Sequence, residues 1–250
     1  MSGTTVRAVA RAFAVLRAFT AERPDLPLAE IAQVAVLDKA TARRLLVTLM
    51  EEGLVRQNPL SQRYSLTLGI LSLAAAVPTG GLREEARPVM MELARDCGVT
   101  VFLSIPDPPG ALCLERVHGT DPVHVRWWGV GQHMPWNCGA APRMLLAHMP
   151  PDQARAALRR TQALTPHSEL DIDRLLALLP DARQLGWSIA TDDVAVGLSA
   201  IAVPVRDGSG TVVAALSFGG LTHLVLAPDG HPRALERLRA GAAEISLHLR

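Results

Sequence analysis

From the start of the chain, apolar residues recur every three or four positions: Val6, Val9, Ala10, Phe13, Leu16 and Phe19, with Arg7, Arg11 and Arg17 on other faces. That spacing predicts an amphipathic helix over 6–20. Pro24 and Pro27 mark a loop. Beyond them, Leu28, Ile31 and Ala32 predict the inward side of a short second helix. Asp38 suits the N-cap of a third helix over 39–52, which Gly53 ends by supplying a left-handed cap. Two short alternating runs around Asn58-Pro59-Leu60-Ser61 then predict a hairpin.

Further along, the apolar run LTLGILSLAAAV (66–77) falls well short of the roughly 20 residues a membrane helix requires, and reads as a buried or packed helix. Pro78-Thr79-Gly80-Gly81 breaks it before another helix over 82–97. After Gly98 the pattern shortens to the strand-like runs VTVFLSIP, GALCLERVH and PVHVRWWGV. Helical signals return in APRMLLAHM, PDQARAALRR and IDRLLALLPDARQLG. The stretch AIAVPVRDGSGTVVAALSFGG is a strand, a turn and a strand, and 232–250 is a final amphipathic helix. The chain therefore divides into a first domain over 1–66, a helical linker over 67–97 and a sheet flanked by helices over 98–250, an α+β arrangement.

Helix, helix, helix, hairpin is the order of a winged helix-turn-helix, whose third helix enters the major groove while the hairpin touches the neighbouring backbone. Charge changes the picture only locally. The 250 residues carry a net charge of +1, which shows no global bias toward nucleic acid or anionic membrane. Residues 1–66, however, hold nine basic and six acidic residues against 16 and 18 in the remainder. On the third helix Lys39 and Arg43 lie one turn apart, while Leu45, Leu46 and Leu49 face the core. A basic helix in this context, followed by a hairpin carrying Arg56 and Arg63, points to DNA contact rather than a merely solvated face. Arg43 or Arg44 suits bidentate contact with guanine, Thr41 a phosphate or a thymine methyl, and Arg56 and Arg63 suit phosphates.

A hydrophobic share of 49% with 20% charged residues excludes a disordered chain. Arg7, Arg11 and Arg17 interrupt the apolar residues that a signal peptide would need, and a cytoplasmic location is expected. The three cysteines, Cys97, Cys113 and Cys138, are too widely spaced for a disulfide framework or a zinc ribbon. Asp192 and Asp193 are adjacent and make no catalytic pair on an extended segment. His118, His124 and His133, with Cys113 and Cys138, could converge around a metal on neighbouring strands, though in no recognised ligand spacing. Gly80-Gly81 lacks the Walker lysine, and Gly129 and Gly131 lack the third glycine of a dinucleotide fingerprint. No catalytic residue, metal or cofactor is expected. A small-molecule-binding enzyme, or a thiol or metal sensor built on the second domain, is the alternative.

Taken together, these blocks resemble the IclR-type bacterial transcriptional regulators over essentially the whole chain. VRAVARAFAVLRAF resembles the family's first helix, LAEIAQVAVLDKATARRLLVTLMEEGLV its helix-turn-helix and QRYSLTLGILSLA its wing and linker. In the second domain GVTVFLSIP, GQHMPWNCGAAPRMLLAHMP, RQLGWSIATDDVAVGLSAIAVPVRDGSG and VVAALSFGG repeat the agreement. The resemblance implies an N-terminal winged helix-turn-helix, a GAF-like effector-binding domain, a dimer or tetramer on double-stranded DNA and no catalytic activity. It implies a palindromic operator and a small organic effector that alters DNA affinity or promoter activity.

The family's pocket positions fall on Met134, Ala140, Ala141, Ala190, Ala200, Ser217 and Gly219. Relatives that bind small carboxylates carry polar groups at the last four, of which this chain keeps only Ser217. Their Gly-Lys step is Pro142-Arg143 here, and proline has no amide hydrogen to offer an anion. Trp127, Trp128 and Trp136 are three of nine aromatic residues and lead into this segment. They point to a flatter, more apolar ligand, an apolar or aromatic acid, with Trp136 as its contact and Trp127 and Trp128 in the core or a dimer interface. Asn137 and Cys138 either hydrogen-bond that ligand or pack, and Arg143 either pairs with a carboxylate or faces solvent.

Overall fold

The computed structural model describes residues 6–20, 23–77, 81–120 and 128–249. The chain divides into two compact units, Met1–Pro78 and Thr79–Arg250. Among the described residues no helix is long and apolar enough to cross a membrane.

In the first unit, α1 (Arg7–Leu16), α2 (Leu28–Val34) and α3 (Lys39–Glu51) precede the hairpin of β2 (Val55–Gln57) and β3 (Tyr64–Leu66). Ile31, Leu46, Leu49, Val55 and Tyr64 pack with Val15, Ala18 and Phe19 into its core. Leu28 and Leu45, read as inward, are only partly buried against that core. Asp38 caps α3 by accepting the Thr41 amide at 2.8 Å. Gly53 follows α3 at φ +71°, the left-handed conformation that costs glycine least.

Three features depart from the sequence pattern. α1 stops at Leu16, and only the end of the apolar row is buried: Val9 and Phe13 are each 53% exposed, while Phe19 enters the core with Val15 and Ala18, which lie outside the row. The loop between Pro24 and Pro27 contains a third strand, β1 (Asp25–Leu26), paired antiparallel with β3. Two residues are too few to show alternation, and Leu26, which is buried, is the only sign of it. The run over 66–77 is not a buried helix either: α4 (Gly69–Ala75) buries no residue, and Leu68, Leu71, Leu73 and Val77 stay exposed.

The second unit is a six-stranded antiparallel sheet with helices on both faces. β4 (Thr100–Asp107), β5 (Gly110–Val117), β6 (His133–Pro135), β7 (Ser188–Thr191), β8 (Leu198–Arg206) and β9 (Val212–Leu221) lie in the order β6-β5-β4-β9-β8-β7. Side chains alternate across the sheet as the pleat requires. Val101, Leu103, Val203 and Leu216 meet α5 (Leu82–Cys97) and the last helix, whereas Phe102, Cys113, Ala202 and Ala215 meet α6 (Ala140–Ala147). Alanines and a cysteine on that second face let α6, apolar on nearly every side, sit deep.

α7 (Pro151–Ala157), α8 (Ile172–Ala177) and α9 (Leu179–Leu185) complete that layer, and α10 (Thr222–Val225) precedes α11 (Leu235–His248). The single helical signal over 172–186 is thus two helices, parted at Leu178 with Pro180 opening the second. Residues 67–97, read as one linker, divide: α4 falls in the first unit and α5 in the second, where Ala86, Val89, Met90 and Leu93 enter the core. Residues 121–127, most of the strand expected in PVHVRWWGV, lie outside the described residues. The strand that pairs with β5 at this edge is β6.

Candidate DNA-binding surface and ligand cavity

On α3 the physical separation is between faces. Ala42, Leu46 and Leu49 are buried, while Lys39, Arg43 and Arg44 are exposed, with no ion pair to any described residue. Asp38 supports this helix, and the Thr41 amide it binds holds its carboxyl below the usual aspartate value. The Thr41 side chain adds to the same lowering, so both its amide and its hydroxyl are directed at the Asp38 cap. In the wing, Arg56 Nε donates to Ser65 Oγ at 3.0 Å and its residue stays exposed.

Arg63 differs from its expected role. Its guanidinium pairs with the Asp25 carboxylate and donates to the Asp25 carbonyl at 2.8 Å, fastening β1 to β3. That commitment leaves it poorly suited to reach a phosphate. At the turn from α2 to α3, Val36 holds φ +53° and is 89% exposed. A β-branched residue rarely adopts this left-handed conformation.

A cleft of about 500 Å³, its open mouth included, lies in the second unit between β7–β9 and the start of α6. The pocket positions that the family resemblance selects all meet here: Met134 from β6, Ala140 and Ala141 from the first turn of α6, Ala190 from β7, Ala200 from β8, and Ser217 and Gly219 from β9. Small side chains create the space. A Cβ on Gly219 would come within 3.1 Å of the Phe102 ring. Phe102 stacks on Trp128 with ring centroids 5.0 Å apart, giving the cleft a flat aromatic wall.

Several candidates from this segment fall elsewhere. Trp136 is buried but lines a different groove, beside Pro106, Pro109 and Met149, so Trp128 replaces it as the tryptophan of the cleft. Trp127 lies outside the described residues. Asn137 is spent on the fold: Nδ2 donates to the carbonyls of Gln162 at 2.8 Å and Glu169 at 3.0 Å, and Oδ1 accepts the Gln162 amide at 3.0 Å. Cys138 donates to the Gln162 carbonyl, and burial pushes its thiol up. Burial also raises the Cys97 thiol, and it takes Cys113 up to about 12. None of the three has the lowered value that makes a thiol reactive near neutrality.

Arg143 neither faces solvent nor waits for a ligand. It donates to the Ile189 carbonyl and lies 3.5 Å from the Asp193 carboxylate, with both side chains largely buried. Asp193 in turn accepts the Gly139 amide, the N-cap of α6, at 3.0 Å. Burial raises the Asp193 carboxyl, opposed by that amide and by Arg143. Adjacent Asp192 turns away at φ +61° and accepts the Gly197 amide at 2.7 Å. His133 pairs with Asp107 at 2.8 Å, His118 approaches Thr100 Oγ1, and His124 lies outside the described residues. Among the described residues no three metal-ligating side chains converge.

Phe102, Trp128, Asp193, Val194 and Leu198 are cleft residues that the sequence did not assign. Trp128 carries a signal as one of the tryptophans leading into this segment, but is expected in the core or a dimer interface, and Phe102 is legible only as part of a strand-like apolar run. Asp193 was weighed only as half of a catalytic pair.

A winged three-helix unit with a basic outer face, joined to a sheet unit that holds an apolar cleft, defines a transcriptional regulator with a DNA-binding and an effector domain. The IclR helix-turn-helix domain matches residues 8–59, and the C-terminal domain of the bacterial transcriptional regulator IclR matches 74–247. The chain belongs to the IclR family of bacterial transcriptional regulators. It is 27% identical to the HTH-type transcriptional regulator XynR of Escherichia coli K12 over 223 residues, 88% of either chain. An IclR homologue of Microbacterium hydrocarbonoxydans, solved in complex with 4-hydroxybenzoate, superposes with a TM-score of 0.80 at 26% identity, covering 97% of this chain and 99% of that one. The IclR regulator of Alicyclobacillus acidocaldarius gives 0.79 at 29% identity, covering 98% and 99%.

Proposed function

We propose that this regulator binds a palindromic operator as a dimer or tetramer, and that a small, flat, largely apolar metabolite entering the second-unit cleft changes its affinity for DNA or its activity at the promoter. The observation that carries the reading is the α3 surface, where Lys39, Arg43 and Arg44 are exposed, with no ion pair to any described residue, above a buried apolar side. Charges left free of internal partners can replace the counterions of a phosphate backbone. Arg43 and Arg44 have the forked donors that recognise guanine edges, and Arg56 suits a flanking phosphate.

Exposed apolar rows on α1 (Val6, Val9, Phe13) and α4 (Leu68, Leu71) support self-association, since such rows are usually covered in an assembly. A symmetric dimer then reads two half-sites about one helical turn apart. The ligand class draws on the apolar lining of the cleft and on the M. hydrocarbonoxydans homologue, whose complex contains an aromatic ligand. A ligand shifts DNA binding only if it prefers one state of the protein, so the effect must appear as a change in operator affinity or promoter output. The site reading is tested by titrating the operator with the Arg43→Ala/Arg44→Ala protein. Affinity should fall at least tenfold with a shallower salt dependence, whereas full affinity would remove α3 as the reading helix.

A further inference from the structure

We propose that the second-unit cleft selects an uncharged ligand, because the chain's own Asp193 occupies the place where a ligand carboxylate would settle. The inference rests on the reading of that cleft as the effector site and narrows it to one charge class. Asp193 is the only ionisable side chain among the described residues lining the cleft. Its Oδ2 accepts the Gly139 amide at 3.0 Å, at the N-terminal end of α6. A helix start with free amides attracts anions. Here that field is already answered from within, and Pro142 has no amide to add.

The two cations near the cleft among the described residues are also committed: Arg116, the cross-strand partner of Phe102, donates to the Trp128 carbonyl at 3.1 Å. Arg143 lies behind the wall rather than in it, paired with Asp193 at 3.5 Å and donating to the Ile189 carbonyl. The other titratable neighbours of Asp193 are Asp192 and the Cys138 thiol, neither of which supplies positive charge. An incoming carboxylate would therefore lose its water and face a like charge with no cation among the described lining residues, and both effects oppose binding.

What the cleft does offer is one hydroxyl and a flat wall. Ser199 is spent on Thr191 and Thr222, at 3.0 Å each. The buried Ser217 hydroxyl makes no hydrogen bond to a described residue and can both donate and accept. Beside it on the same face of the sheet stands its cross-strand partner Phe102, stacked on Trp128. The matching ligand is a flat neutral molecule with a single polar group directed at Ser217.

The test is calorimetric titration of the full-length protein with methyl 4-hydroxybenzoate and 4-hydroxybenzoate, which share a ring and differ in charge. The ester should bind at least tenfold more tightly, and Asp193→Asn should close that gap by strengthening acid binding alone. Without any substitution, acid affinity should fall about tenfold per pH unit above the acid's own pKa while ester affinity stays flat, since only the neutral form enters. Equal or tighter binding of the acid by the wild-type protein overturns the charge preference. An unchanged gap in folded Asp193→Asn overturns the role of Asp193. Binding of neither probe, by protein that still binds DNA, overturns both this ligand class and the reading of the cleft as a site for flat ligands.

Discussion

Replacing Asn137 by alanine should cost the second unit about 2 kcal/mol and loosen the cleft. Three hydrogen bonds, at 2.8, 3.0 and 3.0 Å, tie its buried side chain to backbone groups of Gln162 and Glu169. At about 1 kcal/mol net for each bond the loss would approach about 3 kcal/mol. Gln162 is exposed and Glu169 half-buried, so water can recover part of this, which gives the lower figure. The consequence extends to the cleft because the same segment holds Asp192 and Asp193. Thr165 Oγ1 donates to the Asp192 carbonyl at 2.6 Å and Ser168 Oγ to the Asp193 carbonyl at 2.7 Å. All four tryptophans, at 127, 128, 136 and 187, belong to the second unit, so urea unfolding followed by tryptophan fluorescence reports that unit directly. Asn137→Asp should be worse than alanine, because a carboxylate cannot donate to two carbonyls. A loss below about 0.5 kcal/mol for alanine, or an aspartate variant as stable as the wild type, would refute the clamp.

Val36→Gly should stabilise the first unit by about 0.5–1 kcal/mol, since relief of the left-handed strain exceeds the added chain entropy. Slower hydrogen exchange of the α3 amides would show it, and faster exchange would contradict it. The buried Asp193 has a raised carboxyl, so with rising pH the unfolded chain releases its proton first. The second unit should then lose stability as pH climbs from the ordinary value of 3.8 through the raised one. Asp193→Asn should flatten that part of the pH profile, and an unchanged profile would refute the assignment. The Asp38 cap works in the opposite sense: its carboxyl is lowered, so its contribution is present above 3.8 and is lost as pH falls through the lowered value, which Asp38→Asn should abolish. Cys113, raised to about 12, should resist iodoacetamide near pH 8 in the native protein and react once it unfolds. Prompt native-state alkylation would contradict its burial.

Much of the first unit was legible because its signals are local. Asp38, the Leu46 and Leu49 spacing and Gly53 mark one helix from end to end, and the structure places each as its chemistry requires. The outward turn of Val9 and Phe13 was not legible, because periodicity shows that a helix has an apolar face but not what covers it. The same limit applies to α4. β1 escaped because its two residues pair with a strand about forty positions away. In the second unit the short apolar runs that became β4, β8 and β9 announced the sheet, and the family resemblance selected positions that line one cleft. Adjacent residues there diverge in space, so sequence proximity favoured Trp136 where the fold uses Trp128. The pairing of Arg143 with Asp193 joins α6 to a loop fifty residues on, which no local pattern encodes.

The most direct test of the whole account is a titration of the purified protein against the intergenic DNA beside its own gene, at two salt concentrations, with footprinting of any complex. A palindromic footprint that survives nonspecific competitor, and whose affinity changes with a cleft ligand, is the predicted result. Binding that is uniform across sequences and abolished by modest salt would reduce α3 to electrostatic attraction and contradict the regulator reading.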